Sequence, residues 1–169
     1  MKIGVAKEIK IHEYRVGMTS SCVKVYIAHG HEVLVEKSAG VNTGFEDEEY
    51  EAAGATVTEN KRRMFDDCDM IVKVKEPLPQ EYDLLHEGQI LYTYLHLAAS
   101  KKLTEALLSR KIKAVGYETI ETSDGSLPCL KPMSEIAGRL SVQQGAKYLE
   151  KDIRRQRCSF GWRSRRKTR

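Results

Sequence analysis

Between Lys2 and Glu118, short runs rich in β-branched and apolar residues recur, each separated from the next by a stretch with helical spacing. That alternation restricts the fold more than any other feature of the chain. Lys2 to Glu8 alternates around Ile3 and Val5 and predicts a first strand, followed by a helix over Thr19 to Ala28 that Gly30 closes. Glu32–Glu36, Ala55–Thr58, Met70–Lys75, Gln89–Tyr94 and Lys113–Glu118 predict further strands. Asp47–Ala53, Lys61–Asp67 and Lys101–Lys111 predict the helices between them. Strands alternating with helices at these spacings predict a parallel α/β sheet. Beyond the turn-rich connector Ser123–Pro128, residues Ser134 to Glu150 place Ile136, Ala137, Leu140, Val142 and Ala146 at helical spacing. This last helix reads as a bridge toward a further domain.

Charge divides the chain at Lys151. Nine of the 28 basic residues and one of the 24 acidic residues lie in Lys151–Arg169, which leaves residues 1–150 at net −4 against +8 in the tail. A chain of 169 residues buries roughly 70% of the surface that its unfolded form exposes, enough for one core. No run approaches the roughly 18 apolar residues of a membrane span, and the N-terminus meets charge too early for a signal-peptide core. A cytoplasmic location without a membrane partner is the expectation. Cys22, Cys68, Cys129 and Cys158 are scattered, with no C-x-x-C pair and no histidine at ligand spacing, so no metal site is expected. The thiols read as reduced and mostly buried.

In an open α/β sheet, reactive groups gather at the carboxyl ends of the strands. Arg15 follows the first predicted strand, Lys75 ends the fourth, and His96 follows Tyr94 at the end of the fifth. Arginines in polar loops are commonly solvated, and a histidine after a strand is commonly a structural hydrogen-bonder. Lys75 stands out, because alternation puts it with Lys73 on one face of an otherwise apolar strand. Together the three suit a 2-oxo or 2-amino acid: a guanidinium holds a carboxylate, an ammonium polarises a carbonyl, and an imidazole exchanges protons near neutral pH.

The strings KIGVAKEIK, RVGMT, GHEVLVEKSAG, MIVKVKEPLPQEY, LYTYLHLA, VGYETI and SLPCLKPMSEIAGRLSVQQGAKYLEK closely resemble the alanine dehydrogenases, from Met1 to about Lys151. The proton-translocating nicotinamide nucleotide transhydrogenases share the domain type at greater distance. The resemblance implies a flavodoxin-like substrate-binding domain over 1–132 and an interdomain helix over 133–151. It implies that Arg15 and Lys75 bind the substrate carboxylate and carbonyl, that His96 is the general acid/base, that Tyr94 and Met133 line the pocket, and that Ser134 touches the cofactor. The implied reaction oxidises L-alanine to pyruvate and ammonium with hydride passed to NAD. Homo-oligomers or pairing with intact subunits are the implied partners. Ala6 and Ser20 stand where the family usually has proline.

The sequence shows no G-x-G-x-x-G turn between strand and helix, so neither a Rossmann NAD domain nor tight NAD binding is expected of this chain. Codons allowed for Asp152–Arg169, read one nucleotide later, permit TYGGNGVLLGGVPGVKRG, which looks like the family's continuation into a nucleotide domain. The expectation is a frameshifted, inactive remnant. The rival reading, a basic tail for nucleic acid or an acidic membrane, lacks the spacing of an amphipathic basic helix.

Overall fold

A computed structural model describes residues 1–150; the expectations for residues 152–169 lie outside the described residues. Eleven elements follow in order: β1 (Lys2–Val5), α1 (Ser20–Ala28), β2 (Glu32–Glu36), α2 (Asp47–Ala52), β3 (Thr56–Thr58), α3 (Lys61–Asp67), β4 (Met70–Val72), β5 (Ile90–Thr93), α4 (Lys101–Ser109), β6 (Lys113–Gly116) and α5 (Lys131–Leu149). Single 3-10 turns lie at Leu97–Ala99 and Tyr117–Thr119, and a longer one at Pro79–Leu84.

All six strands are parallel, in the order β3-β2-β1-β4-β5-β6. Without β3 the remaining five run second, first, third, fourth, fifth in chain order, the flavodoxin-like arrangement, and β3 adds a three-residue edge beyond β2. β1 lies at the centre, with Val5 aligned between Val35 of β2 and Val72 of β4. Alternation along the strands feeds two apolar layers. Ile3, Val5, Val33, Val35 and Val72 pack with Val23 of α1 and Tyr50 of α2. Ile71 and Leu91 pack with Met64 and Phe65 of α3 and with Leu103 and Leu107 of α4.

The helices start where polar side chains take their first N–H groups. Thr19 accepts from Cys22 N at 3.3 Å, Asn60 from Arg63 N at 2.9 Å, and Ser100 from Leu103 N at 3.3 Å. Gly30 adopts φ +80° just past α1, the left-handed conformation that ends helices. α5 begins at Lys131, three residues earlier than the spacing predicts. Pro132 falls in its first turn, where a missing N–H costs no helical bond. Of the thiols, Cys68 is buried as expected and burial pushes it up to about 11. Cys22 is exposed, which corrects the expectation for that position.

The chain divides into two units, one spanning Met1–Leu127 and one from Pro128 onward. Within the second, α5 carries no buried residue, and Ile136, Leu140, Val142, Tyr148 and Leu149 are exposed.

Candidate functional site

The strand order reverses between β1 and β4, because β1 leads away through α1 to β2 on one side while β4 arrives on the other. A crevice at the carboxyl ends of such strands is where open α/β sheets bind ligands. Both strands end earlier than their sequence pattern predicts, and acidic side chains are the reason. Ala6 N still donates to Val72 O at 3.2 Å, but Lys7 N donates to the Glu36 carboxylate at 2.8 Å. A proline at position 6 would lack the first of these donors. On β4, Val74 N and Lys75 N donate to Glu8 Oε1 at 2.6 and 3.1 Å. The strands therefore stop at Val5 and Val72 instead of Glu8 and Lys75.

The two lysines of β4's extension part company. Lys73 is fully buried, with Nζ 3.0 Å from Glu81 Oε1 and 3.5 Å from Glu8 Oε2. Lys61 joins from α3, 3.0 Å from Glu81 and 3.5 Å from Glu36. Burial works to raise the Glu81 carboxyl, but Lys73, Lys61 and the N–H of Leu78 together hold it below the ordinary carboxylate value. Lys75 is half-buried at a bend beyond the end of β4, whereas Lys73 is fully buried, so strand alternation does not carry through to Lys75. Its backbone is gripped on both sides: the N–H by Glu8, the carbonyl by Thr93 Oγ1 at 2.9 Å.

Arg15 rides on the loop that joins β1 to α1. Gly17 lets that loop lie against β4, since a Cβ there would come within 3.0 Å of Val72 Cγ1 and 3.3 Å of the Lys73 backbone. Tyr50 pins the loop's far end by donating to Met18 O at 2.8 Å. The Arg15 guanidinium donates to Glu13 through Nε and Nη2, both at 2.7 Å. That pairing raises Arg15 above its ordinary value, with smaller contributions from Tyr94 and Glu8. Hydrogen bonding from Arg15 in turn holds Glu13 below the usual carboxylate range, and Lys75 adds to this. Arg15, Lys75 and Tyr94 thus share one electrostatic neighbourhood.

His96 is exposed and sits at φ 49°, a left-handed backbone uncommon outside glycine. Glu118 makes that conformation tenable by accepting from Leu95 N at 3.0 Å and His96 N at 2.8 Å. Burial opposes the charge on Glu118, and these donors with the His96 side chain outweigh it, holding the carboxyl low. The Tyr94 and His96 rings lie nearly parallel, 6.2 Å apart, and Tyr117 meets Tyr94 edge-on at 4.8 Å while donating to Lys73 O at 3.0 Å. A cavity of about 530 Å³ opens between Leu95–Ala99 and residues Ala114, Gly116, Glu118 and Thr119. It meets His96 but neither Arg15 nor Lys75.

Of the residues singled out by sequence, Arg15, Lys75, Tyr94 and His96 all sit at the carboxyl ends of β1, β4 and β5 in the first unit. Met133 and Ser134 lie near the start of α5, in the second. The sequence reading passed over Glu8, Glu13, Tyr117 and Glu118. The strand-end rule that selected Lys75 applies equally to Glu8 and Glu118, which close the first and sixth predicted strands. Among the described residues no group of His, Cys, Asp and Glu could hold a metal ion, and no helix is long and apolar enough to cross a membrane.

Residues 4–137 match the family model described as alanine dehydrogenase/PNT, N-terminal domain. The chain belongs to this family. An alanine dehydrogenase of Methanococcus maripaludis is 54% identical over 151 residues, which are 89% of this chain and 40% of that relative. An alanine dehydrogenase of Bilophila wadsworthia is 52% identical over the same shares. A solved L-alanine dehydrogenase superposes with TM-score 0.84 at 51% identity, covering 90% of this chain and 42% of that one. The transhydrogenase from Sinorhizobium meliloti superposes with TM-score 0.66 at 27% identity, over 70% of this chain and 35% of its own. The chain thus spans about 40% of the length of these curated alanine dehydrogenases and corresponds to the family's N-terminal domain.

Proposed function

We propose that the unit Met1–Leu127 is the substrate-binding domain of a cytoplasmic, NAD-dependent L-alanine dehydrogenase and takes L-alanine or pyruvate. In this reading Arg15 binds the carboxylate, Lys75 polarises the C2 carbonyl, Tyr94 lines the pocket beside them, and His96 exchanges a proton with the C2 oxygen. The observation that carries it is the placing of two cationic residues at the switch point: Glu8 and Thr93 hold the Lys75 backbone while Glu13 holds the Arg15 guanidinium. Two cations at one crevice suit a small anion with a neighbouring carbonyl.

NAD fits none of the described residues as a pyrophosphate site. The turn after β1 contains Gly17 as its one glycine, and that glycine is packed against Val72 and Lys73. Ser134 is assigned to the cofactor, and Met133 to the pocket, on the resemblance alone. The expected outcome with L-alanine and NAD is no NADH formation by the chain by itself.

Titration of the ¹⁵N-labelled chain with pyruvate tests the reading. The expected result is a set of shifts at Arg15, Lys75, Tyr94 and His96 that Arg15→Ala and Lys75→Ala abolish. Shifts scattered elsewhere, or none, would sink it. The exposed apolar residues of α5 favour a second role, pairing with another subunit. A monodisperse monomer by light scattering, alone and mixed with an intact homologue, would count against that role.

A further inference from the structure

Arg15 belongs to a loop without regular structure, and its side chain is 43% exposed. A long guanidinium side chain so placed samples many rotamers, and ordering it opposes ligand binding when nothing holds it beforehand. Glu13 holds it. One carboxylate receives three bonds from Arg15: Nε at 2.7 Å and the backbone N–H at 3.1 Å on Oε1, and Nη2 at 2.7 Å on Oε2. The exposures run opposite to an ordinary surface pair, because the Glu13 side chain is only 8% exposed while its partner is nearly half in water. The carboxylate therefore stands behind the guanidinium.

The backbone supplies the reason. Glu13 N donates to Lys10 O at 3.0 Å across a turn in which His12 takes φ 64°, and this turn folds the carboxylate inward. Lys10 in turn pairs with Glu76, on the exit of β4, so the turn is tied to the segment that carries Lys75. The influence of Lys75 on Glu13 agrees with that placement.

We propose that Glu13 is a positioning residue for substrate: it grips the Arg15 guanidinium by the Nε–Nη2 edge and so sets the pose in which the carboxylate of a 2-oxo acid is received. The proposal rests on the reading of Arg15 as the carboxylate site and extends it to a residue that makes no contact with substrate itself. Preorganisation of this kind shows in affinity, since the ordering cost is met before the ligand arrives.

The test uses the full chain and the Arg15 Nε–Hε proton signal, followed by hydrogen exchange and through a pyruvate titration. In the unaltered chain the signal exchanges slowly and shifts with pyruvate. Glu13→Gln, nearly the same shape without the charge, accelerates that exchange about tenfold and weakens pyruvate by about the same factor. The backbone amide shifts of His96 and the urea midpoint stay in place, and Glu13→Asp recovers part of the loss. If pyruvate leaves the Arg15 signal of the unaltered chain unmoved, Arg15 is not a carboxylate site and the proposal falls with that reading. If pyruvate moves the signal but Glu13→Gln binds it equally well, only the role of Glu13 falls. Tighter binding by Glu13→Gln would overturn it differently, by showing that Glu13 competes with substrate for Arg15.

Discussion

Two groups of charged residues meet around the switch point, with Glu8 common to both, and have opposite characters. Beneath the switch point, Lys73 and Lys61 are enclosed by Glu8, Glu36 and Glu81, and each ammonium is met by two carboxylates. In the crevice above, Arg15, Lys75 and His96 are half-buried or exposed, and their carboxylate neighbours Glu13, Glu8 and Glu118 act largely through N–H groups of the backbone or one edge of a side chain. The inner group is matched and dry; the outer is held in place from behind. The same residue types serve as internal structure in one place and as exposed chemistry in the other, and burial of the charged atom is what separates them.

Lys73→Met attacks the inner group and should have the largest effect, about 3–5 kcal/mol lost by urea denaturation, because Glu8 is left buried without its ammonium and Glu81 keeps only Lys61. A loss under about 1 kcal/mol would mean that water reaches the site and the contrast is false. Acid probes the same cluster. Glu81 has a folded value below its ordinary value of 4.5, so its contribution is whole above 4.5 and drains away as pH falls through the lowered folded value. The urea midpoint should therefore begin to drop as pH falls below about 4.5, and drop less in Lys73→Met, which removes the main cation acting on Glu81. A parallel decline in both chains would assign acid sensitivity elsewhere.

Gly17→Ala strikes the seam between the two groups, and overpacking against Val72 and Lys73 should cost about 1–3 kcal/mol. Glu118→Gln should cost about 1–2 kcal/mol and free the backbone of His96, seen as faster exchange of its amide. Arg15→Lys should fall at the bottom of the series, within about 0.5 kcal/mol of the unaltered chain, while removing the pyruvate response. If it destabilises as much as Lys73→Met, the outer group is structural after all.

The sequence pattern predicted the elements well and their ends poorly. β2 falls on Glu32–Glu36 as its alternation requires, and α3 on Lys61–Asp67, because both are set by local periodicity and a nearby cap. β1 and β4 end early for reasons that no local window contains: Glu36 reaches back to Lys7, and Glu8 reaches across 66 positions to Val74. The candidate site divides in the same way. Arg15, Lys75, Tyr94 and His96 were visible as strand-end chemistry or through resemblance, whereas Glu8, Glu13 and Glu118 look like ordinary surface acids until the fold shows which N–H groups they face. Lys73 was noticed for its place on an apolar strand, and its partners lie outside that strand, Glu8 after β1 and Glu81 in the turn at Pro79–Leu84.

The bond from Glu8 to Val74 and Lys75 also orders events in time. On the ribosome, β1, β2 and β3 are all available once Thr58 has emerged, and they are contiguous in the sheet. At that stage Lys61 and Lys73 are still inside the exit tunnel, so the young half-sheet carries Glu8 and Glu36 at its strand ends without their lysines. Emergence of the next seventeen or so residues delivers both lysines and the two amides, which makes closure of the β1–β4 seam a concerted step that follows assembly of the first three strands in vectorial folding. Arrest-peptide force profiles should then show a single strong pull after Lys75 clears the exit tunnel, and one before Lys61 clears it would place closure earlier.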